Sequence, residues 1–183
     1  MRLRLPHAPY VANKIAIDLA KSSFVTLTKG IEPVAEATKK ILEEDLKKEL
    51  TLEEHVREIM EENEDEIEFM MADPKQLFWM IKKKLAPEYD LILNFEDRFN
   101  HLSHKILDFL YEEDLIRFNV PENRVKNIIY DAIVDYIKMY DEIEDKVLEK
   151  ISNYKRKLIP GSEEYELVFQ KMYEDELKKR GML

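Results

Sequence analysis

Displacing this chain along itself by 91 positions, without a gap, superimposes its second half on its first. Lys14-Ile15 falls on Lys105-Ile106, Leu19 on Leu110, Phe24-Val25 on Leu115-Ile116 and Val34 on Val125. Farther along, Leu46-Lys47 falls on Ile137-Lys138, Val56 on Val147, Met60 on Ile151 and Phe78 on Phe169. A register held from Val11/Leu102 to Phe78/Phe169 predicts two copies of one unit, residues 1–91 and 92–183. One half cannot adopt an architecture denied to the other. Differences between the halves then mark places where the two units can serve different ends.

Composition narrows the choice of unit. Three glycines in 183 residues argue against a turn-rich β sandwich or a doubly wound sheet, because both consume glycine at their turns. The absence of cysteine excludes disulfides, thiol nucleophiles and Cys-ligated zinc or iron–sulfur sites. Met1-Arg2-Leu3-Arg4-Leu5-Pro6-His7 has no apolar signal region, and no apolar run is long enough to span a bilayer, so a cytoplasmic location without membrane contact is expected. The net charge of −10 is shared equally. Residues 1–91 hold 14 Lys/Arg against 19 Asp/Glu, and residues 92–183 hold 15 against 20. Such acidity disfavours general nucleic-acid binding, which needs a basic face. With 37% charged residues and only two glutamines, the composition leans thermophilic.

Apolar periodicity predicts an all-α fold of two tandem four-helix units. In the second half Phe95, Phe99, Leu102, Ile106, Phe109 and Leu110 share one helical face. A short β-prone stretch, Leu115-Ile116-Arg117-Phe118, ends at Asn119 and Pro121, and a helix carrying Val125, Ile129, Ile133, Tyr136 and Tyr140 follows. Asp141 and Glu144 have capping-box spacing for a third helix through Ile143, Val147 and Ile151, and Ser162 can cap a fourth. The first half repeats the plan: a helix near residues 8–21, then Phe24-Val25-Thr26-Leu27, then a helix from about Glu32 to Glu49. Thr51 to Glu54 caps the third helix, and Asp73-Pro74 starts the fourth. Leu91-Ile92-Leu93 and an outward Trp79 are expected to dock the units together.

Two stretches carry a resemblance. Lys155-Arg156-Lys157-Leu158-Ile159-Pro160-Gly161-Ser162 through Lys178-Lys179-Arg180-Gly181, with His101-Leu102-Ser103-His104-Lys105-Ile106, resembles the bacterial domain-of-unknown-function family 507. The resemblance covers residues 92–183 and reaches 1–91 mainly through the internal repeat, since Phe69-Met70-Met71 has lost the Ile-Pro-Gly-Ser pattern. It implies a helical unit and supplies no activity, cofactor or site residue.

Asp97, His101, His104 and Asp108 lie four, three and four residues apart, so they share a helical stripe that could hold a metal ion. That stripe lies opposite the apolar face, and its first-half equivalents are Pro6, Tyr10, Asn13 and Ile17; an ordinary polar face is the expectation. Lys155, Arg156, Lys157, Lys178, Lys179 and Arg180 could form an anion or RNA patch beside Tyr154 and Tyr173, although helix C-termini attract Lys and Arg without any ligand. Charge differs between the halves at matched places: Glu64-Asp65-Glu66 against Lys155-Arg156-Lys157, and Lys83-Lys84 against Glu174-Asp175. Trp79 points about 150° from the centre of its helix's inward stripe. Trp79 and Met80 are matched by Gln170 and Lys171, and Phe69 and Met70 lie just upstream, so these four are candidates for an interface. No Gly-rich phosphate loop, nucleophile elbow or His-Glu-x-x-His motif is present. The expectation is a non-enzymatic interaction or scaffold protein without cofactor, bound to an unknown protein partner or to itself. An RNA-associated factor and a metal-dependent enzyme at His101 and His104 are the alternatives.

Overall fold

The computed structural model describes residues 3–154 and 156–180. The protein is all-α with one two-stranded ribbon. A 3-10 turn at Leu5–His7 leads into α1 (Ala8–Lys21), followed by β1 (Val25–Leu27), α2 (Ile31–Glu62), α3 (Glu64–Phe69), α4 (Pro74–Leu85) and a second 3-10 turn (Ala86–Tyr89). The chain continues through α5 (Phe95–Glu112), β2 (Ile116–Phe118), α6 (Glu122–Ser152) and α7 (Glu163–Lys179).

The expected break between second and third helices does not occur in either half. Thr51 does not cap a new helix: its hydroxyl donates to the Lys47 carbonyl at 3.0 Å, the back-bond of a residue inside a helix. Burial explains the continuity. Leu42, Leu46, Leu52 and Val56 are all buried along α2, so the apolar stripe passes the capping signal without a gap. At about 1.5 Å per residue, the 32 residues of α2 form a rod of about 48 Å. Asp141 is likewise inside α6, where Tyr136, Ile137, Ile143 and Val147 stay buried. The short acidic α3, with no buried residue, was not expected. Other signals act as expected: Asp73 accepts from Lys75 N at 2.9 Å, and Ser162 accepts from Tyr165 N at 3.2 Å.

The main core is common to both halves. Ala8, Val11, Ala12, Ile15, Ala16 and Leu19 of α1 are essentially inaccessible to solvent, and α1 packs on both α2 and α6. Alanine at 8, 12 and 16 forms a small-residue stripe that allows the neighbouring helices to come close. From the other half, α5 packs on the same two long helices through Phe99, Leu102, Ile106, Leu107 and Leu110. The antiparallel ribbon repeats this exchange: Val25 pairs with Phe118, Thr26 with Arg117 and Leu27 with Ile116. The central pair, Thr26 and Arg117, are residues 91 positions apart.

A second, smaller core holds Leu52, Val56, Ala86 and Leu91, with Met60, Phe78, Ile81 and Leu85 against it. It anchors α4 to the far end of α2. Leu91 is buried there as part of this satellite cluster, and Trp79 is 60% exposed. The halves therefore do not dock through Trp79; they join through α1, α5 and the ribbon.

Gly30 caps α2 at φ 85° and ψ −172°, a region that residues with a side chain scarcely enter. A Cβ there would meet no atom within 4 Å, so the penalty for alanine is backbone strain alone. Gly30→Ala should lower stability by about 1–3 kcal/mol in urea denaturation, with an unchanged m-value.

Candidate functional site

Charge is buried where α2, α4 and α5 meet. Lys82 is the one residue of α4 that is fully buried, 1% exposed, although the sequence presents it as the first of three surface lysines. Its Nζ donates to Glu49 Oε1 at 2.6 Å and to Glu53 Oε1 at 2.7 Å, both on α2. From α5, Arg98 donates through Nη1 to Glu49 Oε2 at 2.7 Å and through Nε to Asp45 Oδ2 at 2.7 Å. Burial alone would raise the Glu49 carboxyl, but Arg98 and Lys82 more than offset it and hold the group below the usual carboxylate range. Asp45, Glu49 and Glu53 lie four residues apart, so one face of α2 presents three carboxylates to cations from two other helices.

Shifting these positions by 91 leads to a second cluster of different chemistry. Asp45, Glu49 and Lys82 correspond to Tyr136, Tyr140 and Tyr173, while Arg98 corresponds to His7. These four also meet. The Tyr136 and Tyr173 hydroxyls are 2.8 Å apart, the His7 and Tyr140 rings have centroids 4.3 Å apart, and the Tyr140 and Tyr173 rings 5.5 Å. His7 Nδ1 accepts from the Arg4 backbone N–H at 3.0 Å, which leaves the proton of the neutral ring on Nε2. Burial, aided by the charge of Arg4, brings the His7 pKa down to about 4. Burial also pushes the Tyr136 and Tyr173 phenols far above their ordinary range, so both stay neutral. In each cluster a residue at the start of one half's first packed helix closes a site on the other half's long helix: His7 just ahead of α1, and Arg98 in the first turn of α5.

The interface candidates form a third feature. Phe69 is 88% exposed and Met71 92%, with Met70, Trp79 and Met80 also open to solvent. The Trp79 ring covers the Lys82 ammonium at 5.0 Å, and an open apolar groove of about 400 Å³ runs beside it between Met60, Pro74 and Phe78. Met71 closes α3 with φ 50°, a left-handed conformation uncommon for methionine.

A family model described as a protein of unknown function, DUF507, matches residues 1–182. The chain belongs to the DUF507 family. The match runs through both halves, so the first half is part of the family's own pattern as much as the second. No curated protein matches this DUF507 chain in sequence.

The structure divides the proposed metal stripe. His101, His104 and Asp108 line a cleft of about 480 Å³ with Lys48, Arg98 and Lys105, whereas Asp97 faces a separate cleft beside Lys126 and Tyr130. Among the described residues, no three His, Asp or Glu side chains are grouped so as to hold a metal ion. The basic patch is also divided, and much of it is paired: Arg156 with Glu164 at 3.2 Å, Lys179 with Glu176 at 3.0 Å and Arg180 with Glu142 at 3.2 Å. Lys157 and Lys178 are exposed, and Lys155 lies outside the described residues. Sequence reasoning missed both buried clusters. The signal was present in the 91-residue register, which matches Lys82 to the apolar-stripe residue Tyr173 and Glu49 to Tyr140.

Two measurements test these assignments. Lys82→Met keeps the apolar stem but removes the cation between Glu49 and Glu53; it should cost about 3–5 kcal/mol at neutral pH, and adding Glu49→Gln and Glu53→Gln should recover part of the loss. His7 gives a pH effect of definite sign. Between its unfolded value of 6.5 and its folded value of about 4, the unfolded chain binds a proton that the folded chain refuses. Stability should therefore fall as pH drops through that window, by about 3 kcal/mol in all from this residue. In urea denaturation between about pH 7 and pH 5, above most carboxylate titration, His7→Phe should flatten the slope. An unchanged slope would remove His7 from the account.

Proposed function

We propose that this DUF507 protein is a non-enzymatic interaction module made of two copies of one helical unit, in which the first copy's α3–α4 tip has become the docking surface. Three observations support the duplication. The strands 25–27 and 116–118 are 91 positions apart and pair about the matched residues Thr26 and Arg117. The helices α2 and α6 start 91 positions apart. The two buried clusters occupy matched positions and exchange one residue between halves, as a local two-fold axis requires.

The observation that carries the docking reading is the contrast between matched tips. Phe69, Met70, Met71, Trp79 and Met80 in the first half stand against Pro160, Gly161, Ser162, Gln170 and Lys171 in the second. The second-half tip exposes Tyr154, Ile159 and Leu167, but the first-half tip exposes five large apolar side chains together, with Phe69 and Met71 almost wholly open, and such a concentration marks a contact site. In both buried clusters the polar groups are bonded to one another, and Asp45 and Arg98 of the ionic cluster border the cleft that holds His101 and His104. An RNA-binding role for the second half is disfavoured by its acidity, since Glu163, Glu164 and Glu166 stand exposed beside Arg156 and Lys157.

Affinity capture of the tagged chain from its own cell lysate, treated with nuclease, tests the reading. The wild type should retain a protein partner or untagged copies of itself, and Phe69→Ser with Trp79→Ser should lose at least about 90% of it, a tenfold effect worth about 1.4 kcal/mol, with an unchanged melting temperature. Recovery that nuclease abolishes, and that depends on Arg156 and Lys157 instead, would favour the RNA reading.

A further inference from the structure

We infer that the α3–α4 tip receives a cationic, amphipathic segment of another protein, with its apolar side chains on Phe69, Met70, Trp79 and Met80 and its basic residues over the acidic end of the hairpin. This rests on the docking reading above and names the chemistry of the occupant. Residues 57–75 hold eight Asp/Glu against two Lys/Arg, and all eight carboxylates are exposed. Among the described residues none of the eight is in an ion pair, and Arg57, one of the two cations, reaches instead to the buried Glu53 at 3.7 Å.

The placement of this charge works against the isolated tip. Glu58 has Glu54, Glu61 and Glu62 three or four residues away on α2, spacings at which like charges repel. Glu61 and Glu62 close α2 with no base in its last turn, at the end where the helix dipole disfavours anions. The matched helix α6 closes with Lys150 in that turn. A cation seated at the first-half tip relieves both repulsions. Apolar and acidic features also meet in one place, because Glu61 lines the same groove as Met60, Pro74, Phe78 and Trp79. Lys83 and Lys84 stand exposed four residues beyond Trp79 and Met80, so the α4 end of the patch is basic and directs the occupant's cations to the tip. The second-half tip offers no such field, since Arg156 and Lys157 stand there with Glu163, Glu164 and Glu166. A second copy of the chain, at a net charge of −10, is repelled as a whole, and an anionic membrane surface would meet the same eight carboxylates.

The test titrates the full chain with synthetic peptides that lack tryptophan and reads Trp79, the only tryptophan, which is 60% exposed. A leucine–lysine peptide with helical apolar spacing should shift its emission to the blue. That peptide should bind at least about tenfold more tightly than a leucine–glutamate peptide of the same pattern or a serine–lysine peptide of the same charge. Binding should weaken as salt is raised. Phe69→Ser with Met70→Ser should weaken it at least about tenfold, and so should Glu61→Gln, Glu62→Gln, Asp65→Asn and Glu66→Gln combined. The same loss of charge from the second half, by Asp145→Asn, Glu163→Gln, Glu166→Gln and Asp175→Asn, should leave binding unchanged. All these positions are on the surface, so circular dichroism should match the wild type. No preference for the leucine–lysine peptide over its controls overturns the cationic occupant, as does equal weakening by the two sets of amides, which is attraction to net charge alone. A Trp79 shift on phosphatidylglycerol vesicles without one on the peptide overturns it in favour of lipid, and a shift with protein concentration alone overturns it in favour of a second copy. Capture from lysate separates this inference from the docking reading: loss of the partner in Phe69→Ser with Trp79→Ser, but not in the four tip amides, upholds docking and overturns the cationic occupant.

Discussion

Everything in this fold depends on α1 being surrounded. Six apolar residues of one 14-residue helix are sealed from water, and the walls come from α2 of its own half and α6 of the other. Fully burying each larger side chain, Val11, Ile15 or Leu19, contributes roughly 1.5–3 kcal/mol. That stabilisation exists only while both long helices are in place. The exchange is mutual, since α5 seats Phe99, Leu102, Ile106 and Leu110 against the same pair. Neither half can close its own principal core. The ribbon makes the same point with hydrogen bonds: among the described residues β1 and β2 pair only with each other.

Against that shared frame the two matched clusters are alternative solutions to one packing problem. Where a long helix, its hairpin partner and a residue from the opposite half converge, one site is filled by four aromatic rings and the other by ions. The aromatic version removes apolar area from water and leaves two hydroxyls that satisfy one another. The ionic version desolvates Lys82, Glu49, Glu53 and Arg98, each at a cost of several kcal/mol before pairing. Bonds of 2.6 to 2.7 Å to both carboxylates return much of that cost without exceeding what rings would contribute. What the ions add is direction. Lys82 ties α4 to α2 through Glu49 and Glu53, and Arg98 ties α5 to the same face through Asp45 and Glu49.

How much of this was legible in the sequence follows from what each signal measures. Periodicity sufficed for the all-α class, the bounds of α1 and both short strands, but it put Phe95 and Phe109, which are exposed, on the buried face of α5 and left out Leu107, which is buried. Caps were legible where the chain had to turn, at Asp73 and Ser162. They misled at Thr51 and Asp141, because a capping residue acts only if the helix has reason to stop, and continuous burial of Leu46 to Val56 gave it none. Lys82 and Arg98 were illegible for a deeper reason: single-residue chemistry assigns a cation to the surface, and only tertiary pairing makes burial tolerable. Trp79 was read correctly as outward and wrongly as the joint between halves, since the halves meet through a core whose residues look alike in both.

The exposed tip is a consequence of the same architecture. Its hairpin reaches past the shared core to the end of α2, where the only apolar shelter is the satellite cluster of Leu52, Val56, Ala86 and Leu91. Phe78, Ile81 and Leu85 already occupy that shelter, and α3 is too short to fold a face of its own back onto it. Phe69, Met70 and Met71 therefore have no interior to enter. In the second half the matched hairpin belongs to the main core through Tyr173 and Leu177, and Pro160, Gly161 and Ser162 stand where the first half has Phe69, Met70 and Met71. The half whose hairpin is held in register by ions is thus the half that exposes the apolar tip. Lys82 lies beneath the exposed Trp79 ring, so the ion cluster that ties α4 to α2 also bears on the exposed tip.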